Sequence, residues 1–146
     1  MPKPFHFKLE RVLDYRTQLE DQAKSELARA QHAFDEQAAV VDDLLSRQAA
    51  HLASEAESRK SANDMWLWRQ YKEALERDVA DARYRLSELE LKLHDSREKA
   101  VARSRDRKLL EKLRETQARK HHEEESAREE KENDEMATLR HQSQDF

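Results

Sequence analysis

Three clusters of side chains in this sequence are of types that do chemistry elsewhere. His121 and His122 stand beside Glu123, Glu124 and Glu125, which are donors a divalent metal accepts. Adjacent helix residues point about 100° apart, so the two imidazoles cannot easily share one ion on a helix. His121 with Glu125 is a one-turn pair, and two ligands make a weak site, so a solvated polar face without metal is expected. The second cluster, Arg97 to Lys120, holds ten basic and four acidic residues, a local balance of +6. Such a segment attracts phosphates or carboxylates, but nucleic-acid binding would also use stacking aromatics. No aromatic lies between Tyr84 and Phe146, so an acidic protein partner is expected rather than nucleic acid. The third cluster is Trp66, Trp68 and Tyr71, the densest apolar feature of a very polar chain. Tryptophans two positions apart point to opposite sides of a helix. At least one is therefore expected to be partly exposed, and exposed tryptophan favours a partner interface.

These residues need elements to position them, and the composition restricts which elements are available. The 146 residues include no glycine, and the only prolines are Pro2 and Pro4. Without glycine there is no ready source of positive-φ turns, bulges or phosphate-cradling loops, whereas long uninterrupted helices form freely. Charged residues make up 41%, hydrophobic residues 36%, and the net charge is −4. That is too little apolar mass for a compact globular domain, and it suits a coiled coil. No cysteine is present, which removes disulfides, thiolate nucleophiles and Cys-ligated zinc. A nucleophile, base and orienter must converge on a concave pocket, and a two-helix rod offers none. The expectation is a protein that is not an enzyme and uses no cofactor and no small-molecule substrate. No apolar stretch approaches the roughly 20 residues that span a bilayer, and the N-terminus lacks a signal-peptide core, so a soluble, cytoplasmic chain is expected.

Apolar residues recur every three or four positions along two stripes. The first runs Leu9, Leu13, Arg16, Ala23, Leu27, Ala30, Phe34, Val41 and Leu44 or Leu45, then weakly through Ala49, Leu52 and Ala56. It predicts a helix over about 7–57. The second runs Leu67, Tyr71, Leu75, Val79, Ala82, Leu86, Leu89, Leu93 and Ala100, thins at Ser104 and Arg107, and returns at Leu109, Leu110 and Leu113. It predicts a helix over about 65–117, and the polar thinning leaves that end able to open. The intervening residues, about 58–64, are rich in serine, asparagine and aspartate, which compete with helix and serve as N-caps. Asn63 or Asp64 is expected to cap the second helix. The fold class is all-α: a single coiled-coil domain over 1–146, folded as a long antiparallel two-helix hairpin. Folding near residue 62 pairs residue i with about 124 − i. Residues 118–146 are then an overhanging helix or a disordered tail. Acid-before-base pairs one turn apart, among them Glu20/Lys24, Asp43/Arg47, Glu55/Arg59, Asp81/Arg85 and Asp95/Lys99, support helix on the outer faces.

The opening run Phe5-His-Phe7-Lys-Leu9-Glu-Arg-Val12-Leu13-Asp-Tyr-Arg16, followed by Glu20, Ala23 and Glu26-Leu27-Ala28, resembles the start of the flagellar export family FliJ. The stretch from Asn63 to Leu75 is similar to the start of that family's second helix, and Lys108 to Glu115 to its basic, leucine-containing C-terminal segment. The resemblance implies an antiparallel coiled coil like the central stalk of rotary ATPases. It implies binding to the hexameric flagellar export ATPase, to the export gate membrane protein and to export chaperones, at the inner face of the cell membrane at the flagellar base. By analogy with the stalk, the ATPase is met by the end holding both termini: Phe5, Phe7, Leu9, Leu13 and Arg16 with Arg103, Arg105, Arg107, Leu110 and Leu113. The gate-facing residues implied are Trp68, Tyr71 and Leu75. The alternative is a structural coiled coil that associates with itself and has no export role.

Overall fold

The computed structural model describes residues 3–144. It is all-helical, with two long helices packed antiparallel as a hairpin. Helix α1 spans Glu10–Ala53, a short 3-10 turn spans Glu55–Ser58, and helix α2 spans Ala62–Gln144. The first helix is thus shorter at both ends than the periodicity suggests. The second runs well past 117, because nothing in the tail breaks it: residues 118–144 contain neither glycine nor proline, and glutamate, lysine, arginine and alanine are good helix formers.

The hairpin packing divides into two compact units, one holding residues up to Glu20 with those from Ala102 onward, the other Asp21–Val101. In the Asp21–Val101 unit, the buried residues of α2 are Trp68, Leu75, Val79, Ala82, Leu89, Leu93 and Ala100, facing Ala23 and Val41 of α1. Together with half-buried Leu86, these alternate three- and four-residue steps from Leu75 to Leu93, the heptad seam of a two-helix coiled coil. The polar Gln37 is tied into this unit by a bond from its Nε2 to the carbonyl of Ala82, 3.0 Å.

That seam corrects the sequence reading at its start. Leu67 is 52% exposed, while Trp68 is 7% exposed. Stepping back from Leu75 by two fours to Leu67 rotates a helix by about 80°, whereas stepping back by seven to Trp68 rotates it by about 20°. Ala49, Leu52 and Ala56, also placed on the first stripe, are exposed, because the half-buried side of α1 runs through Gln48 and His51 instead and Ala56 lies beyond the helix in the 3-10 turn.

The turn is built without a positive-φ residue anywhere among the described residues. A helix usually ends on a left-handed glycine that satisfies its last carbonyls. Here the carbonyl of His51 accepts from the Trp68 indole Nε1 at 3.0 Å, the Ser54 hydroxyl at 2.7 Å and the Ser54 amide at 3.1 Å. The Trp68 indole also donates to Ser54 Oγ at 3.2 Å. In return His51 Nε2 donates to the Trp68 carbonyl at 2.8 Å, and the two rings stack with centroids 4.7 Å apart. Helix α2 is capped by Ser61, whose hydroxyl accepts the amide of Asp64 at 3.1 Å. The cap therefore lies two residues before Asn63, in the Ser-x-x-Asp pattern of a capping box.

In the unit that carries the termini, Phe7, Leu13 and Leu110 form a small buried cluster with Phe5 packed against it. Phe5 and Phe7 precede α1 in a segment without regular secondary structure, and Pro4 biases Lys3 away from helix. The segment runs along α2 as far as His121, which donates from Nε2 to the Lys3 carbonyl at 2.8 Å and meets the Phe5 ring at 5.8 Å. Residues 118–121 therefore do not overhang. Cross-helix partners in the two units sum to between 119 (His51 with Trp68) and 128 (Gln31 with Arg97), and Glu10 with Arg114 sums to 124.

Candidate partner-binding surface

The residues expected to meet an ATPase all belong to the unit that carries the termini, but they divide into two groups. Phe7, Leu13 and Leu110 are buried and hold this unit together. Half-buried Phe5 covers them. Arg16 is half-buried, and its guanidinium donates to the carbonyl of Asp106 at 2.9 Å. Arg107 is also committed. Its Nε donates to Glu20 at 2.8 Å and a terminal nitrogen donates to Glu111 at 2.6 Å.

Among the described residues Glu20 is the buried acid, 3% exposed. The sequence suggests only an outer-face pair with Lys24. The structure puts its carboxylate in the seam, because seven-residue steps from Leu13 and Leu27 both land on position 20. Bonding first to Glu20 and then to Glu111 raises Arg107 above its ordinary value, so the arginine is charged at every accessible pH. The heptad steps mark position 20 in the sequence, but its pairing with Arg107 emerges only from the structure, where the two face each other with numbers that sum to 127. Two of the expected outer-face pairs are also rearranged. Arg85 pairs with Glu88, and Lys99 reaches across to Glu26 at 3.1 Å.

The second group is available to a partner. Leu9, Leu113 and Arg105 are exposed and Arg103 is half-buried. Around them the outward side of α2 carries Lys108, Leu109, Lys112, Arg119 and Lys120, all exposed. On a helix turning 100° per residue, Arg105, Leu109, Lys112, Thr116 and Lys120 share one face. The acids of this stretch, Asp106, Glu111 and Glu115, lie on its flanks or toward α1. The result is a basic strip with Leu109 at its centre and Leu113 at its edge. On α1, Val12 and Tyr15 are exposed as well.

The gate-facing expectation also divides. Leu75 is 3% exposed and Trp68 is the α1 cap described above. Tyr71 is about half exposed and sets its ring edge against His51, with centroids 4.7 Å apart. Trp66, at 58%, is the exposed tryptophan of the pair. Among the described residues no group of three or more His, Asp or Glu side chains is arranged to hold a metal, and no helix is long and apolar enough to cross a membrane.

These features define a helical hairpin whose reactive groups lie on its outer faces rather than in an enclosed site. Within that class the chain belongs to the FliJ family: the family described as "Flagellar FliJ protein" matches residues 5–145. Membership gives the chain a role in flagellar protein export, within a family of non-catalytic export components. No curated protein and no solved structure matches it.

Proposed function

We propose that this protein binds and promotes the flagellar type III export ATPase, and that the unit carrying both termini is the part that engages it. The observation that carries this reading is the basic strip Arg105, Lys108, Lys112, Arg119 and Lys120 around Leu109 and Leu113. None of its cations forms an ion pair among the described residues. A strip of this kind suits an acidic surface on a folded partner: the charges steer encounter and the leucines supply the desolvated centre. Contact with the export gate falls to Tyr71, the accessible member of its trio, and export chaperones complete the set of partners. The protein then works in the cytoplasm, peripheral to the inner face of the membrane, and acts on ATP hydrolysis without binding nucleotide.

The test is co-purification with the ATPase from the same cell, together with its ATP hydrolysis rate. Arg105→Glu with Lys108→Glu removes binding and stimulation while leaving helicity unchanged, because both side chains are exposed. Retained stimulation by a folded variant refutes the assignment. Arg107 is unsuitable for this test, since its loss disturbs the fold. For the gate, Tyr71→Ala lowers export, and normal export by that variant removes Tyr71 from the contact.

A further inference from the structure

The face of α2 that carries the basic strip does not stop at Lys120. Continued in steps of three and four it passes through Glu123, Glu130 and Asp134. Arg105 and Asp134 are 29 residues apart, and their azimuths differ by only about 20° on a helix turning 100° per residue. One continuous outer face is therefore basic in its first half and acidic in its second. From Glu123 to Glu135 there are eight acidic and two basic residues, a balance of −6. Arg105, Lys112, Glu123, Glu130 and Asp134 are all exposed, and none forms an ion pair among the described residues. From Ala127 to Ser143 every residue is exposed, so this part of α2 has no cover on any side.

We propose that this face pairs with the same face of a second copy of the chain, antiparallel, about a two-fold axis near Arg119 and Lys120. A surface whose two halves are opposite in charge and mirrored about one point is complementary to itself under a two-fold rotation. Residue i then lies opposite about 239 − i. Arg105 meets Asp134, Lys112 falls between Glu123 and Glu130, and Thr116 meets Glu123, while Arg119 and Lys120 of the two copies come together at the axis, a like-charge cost that the outer pairs must offset. The same sequence in parallel would set like charges against each other. The seam contains few apolar residues, chiefly Leu109, so the pair is held by charge and is weak and strongly screened by salt. It stands independently of the export reading. It also covers the basic strip, so a second copy and an acidic partner compete for it, and the tail serves as an exchangeable cover.

Sedimentation of the full chain tests this at about 20 mM and about 500 mM salt, between which the screening length shortens about fivefold. A dimer at low salt that dissociates at high salt is expected. Glu123→Lys with Glu130→Lys and Asp134→Lys gives a monomer, as does Arg105→Glu with Lys112→Glu. Mixing the two variants restores a dimer, because each reversed half then faces a reversed partner. The chain has no cysteine, so orientation is read by a short bis-maleimide. Lys120→Cys cross-links, whereas Leu109→Cys does not, since its copies sit about 30 Å apart along the pair. A wild-type chain that is monomeric at both salts overturns the proposal and leaves the acidic face for a basic surface of another protein. A dimer that survives both reversals, or cross-links through Leu109→Cys, overturns it in favour of another interface. The tail variant leaves the basic strip intact, so failure of the pairing and failure of ATPase binding are read separately.

Discussion

Replacing Trp68 by phenylalanine isolates the device that ends α1 without glycine. The indole Nε1 donates to the His51 carbonyl at 3.0 Å and to Ser54 Oγ at 3.2 Å. Phenylalanine keeps a ring against His51 and loses both bonds. The Ser54 hydroxyl and amide still reach the His51 carbonyl, so that acceptor is not orphaned, and the hydrogen-bond loss is about 1 kcal/mol. Trp68 is 7% exposed, so the removed half of the indole takes with it a few tens of Å² of buried apolar area, worth about 1 kcal/mol. The sum is about 2 kcal/mol. Unfolding entropy of about 2.1 cal/mol/K per residue converts that to a fall in Tm of roughly 6–7 °C for a chain of this length. Trp66→Phe is the control: the side chain is 58% exposed, and a change there stays within about 0.5 kcal/mol. Thermal and urea unfolding followed by far-UV circular dichroism give both values. Fluorescence gives an independent reading, because the chain that keeps only Trp68 emits to the blue of the chain that keeps only Trp66 and resists aqueous quenchers. Equal destabilisation by the two substitutions, or equal emission, refutes the capping argument.

Three further outcomes are expected. Arg107→Met leaves the buried Glu20 carboxylate without its 2.8 Å partner and lowers Tm by several degrees, while adding Glu20→Leu recovers most of the loss; thermal unfolding of the two single variants and the double variant checks the coupling, and additive losses contradict it. Leu93→Ala, at a position 3% exposed, costs about 2–4 kcal/mol in urea unfolding, whereas Leu91→Ala, at 68%, costs less than about 0.5 kcal/mol. Ser61→Ala costs about 1 kcal/mol and Asn63→Ala is near neutral, since Ser61 supplies the acceptor for the Asp64 amide; the reverse order moves the cap to Asn63.

The hairpin, its antiparallel sense and the approximate pairing were legible because they follow from strong signals: no glycine, and two apolar stripes of helical period. Details that depend on one residue's rotation were less so. Leu67 and Trp68 are both large and apolar, and only the heptad step from Leu75 selects the tryptophan. Leu9 reads as core by its four-residue step to Leu13, yet it is exposed, and Leu13 packs with Phe7 from the non-helical segment before α1, which carries no helical periodicity to read. Glu20 reads as an outer-face acid because composition assigns glutamate to solvent. Its burial becomes visible only when Arg107 is known to face it. Among the site residues the basic strip could be read from charge alone. The assignment of Arg16 and Arg107 to internal bonds could not, because charge says nothing about which cations are already satisfied.

Those internal bonds explain why the seam has one register. A stripe of alanine and leucine tolerates a slip of seven residues, since one heptad looks much like the next. The polar seam residues do not tolerate it. In the unit that carries the termini, a slip of one heptad sets Arg107 against Leu13 instead of Glu20, which exchanges a 2.8 Å ion pair at the seam for an apolar neighbour and is costly. In the other unit, Gln37 reaches the Ala82 carbonyl at 3.0 Å beside a small side chain, and a slip of one heptad sets it against the bulkier Leu75 or Leu89. The cations of the basic end thus fall into two populations by necessity. Arg16 and Arg107 are spent on holding register and are silent to a partner, while Arg105, Lys108 and Lys112 contribute little to the fold and are free to be recognised. Removal of the first population should therefore be read by unfolding, and reversal of the second by association, with the helices intact.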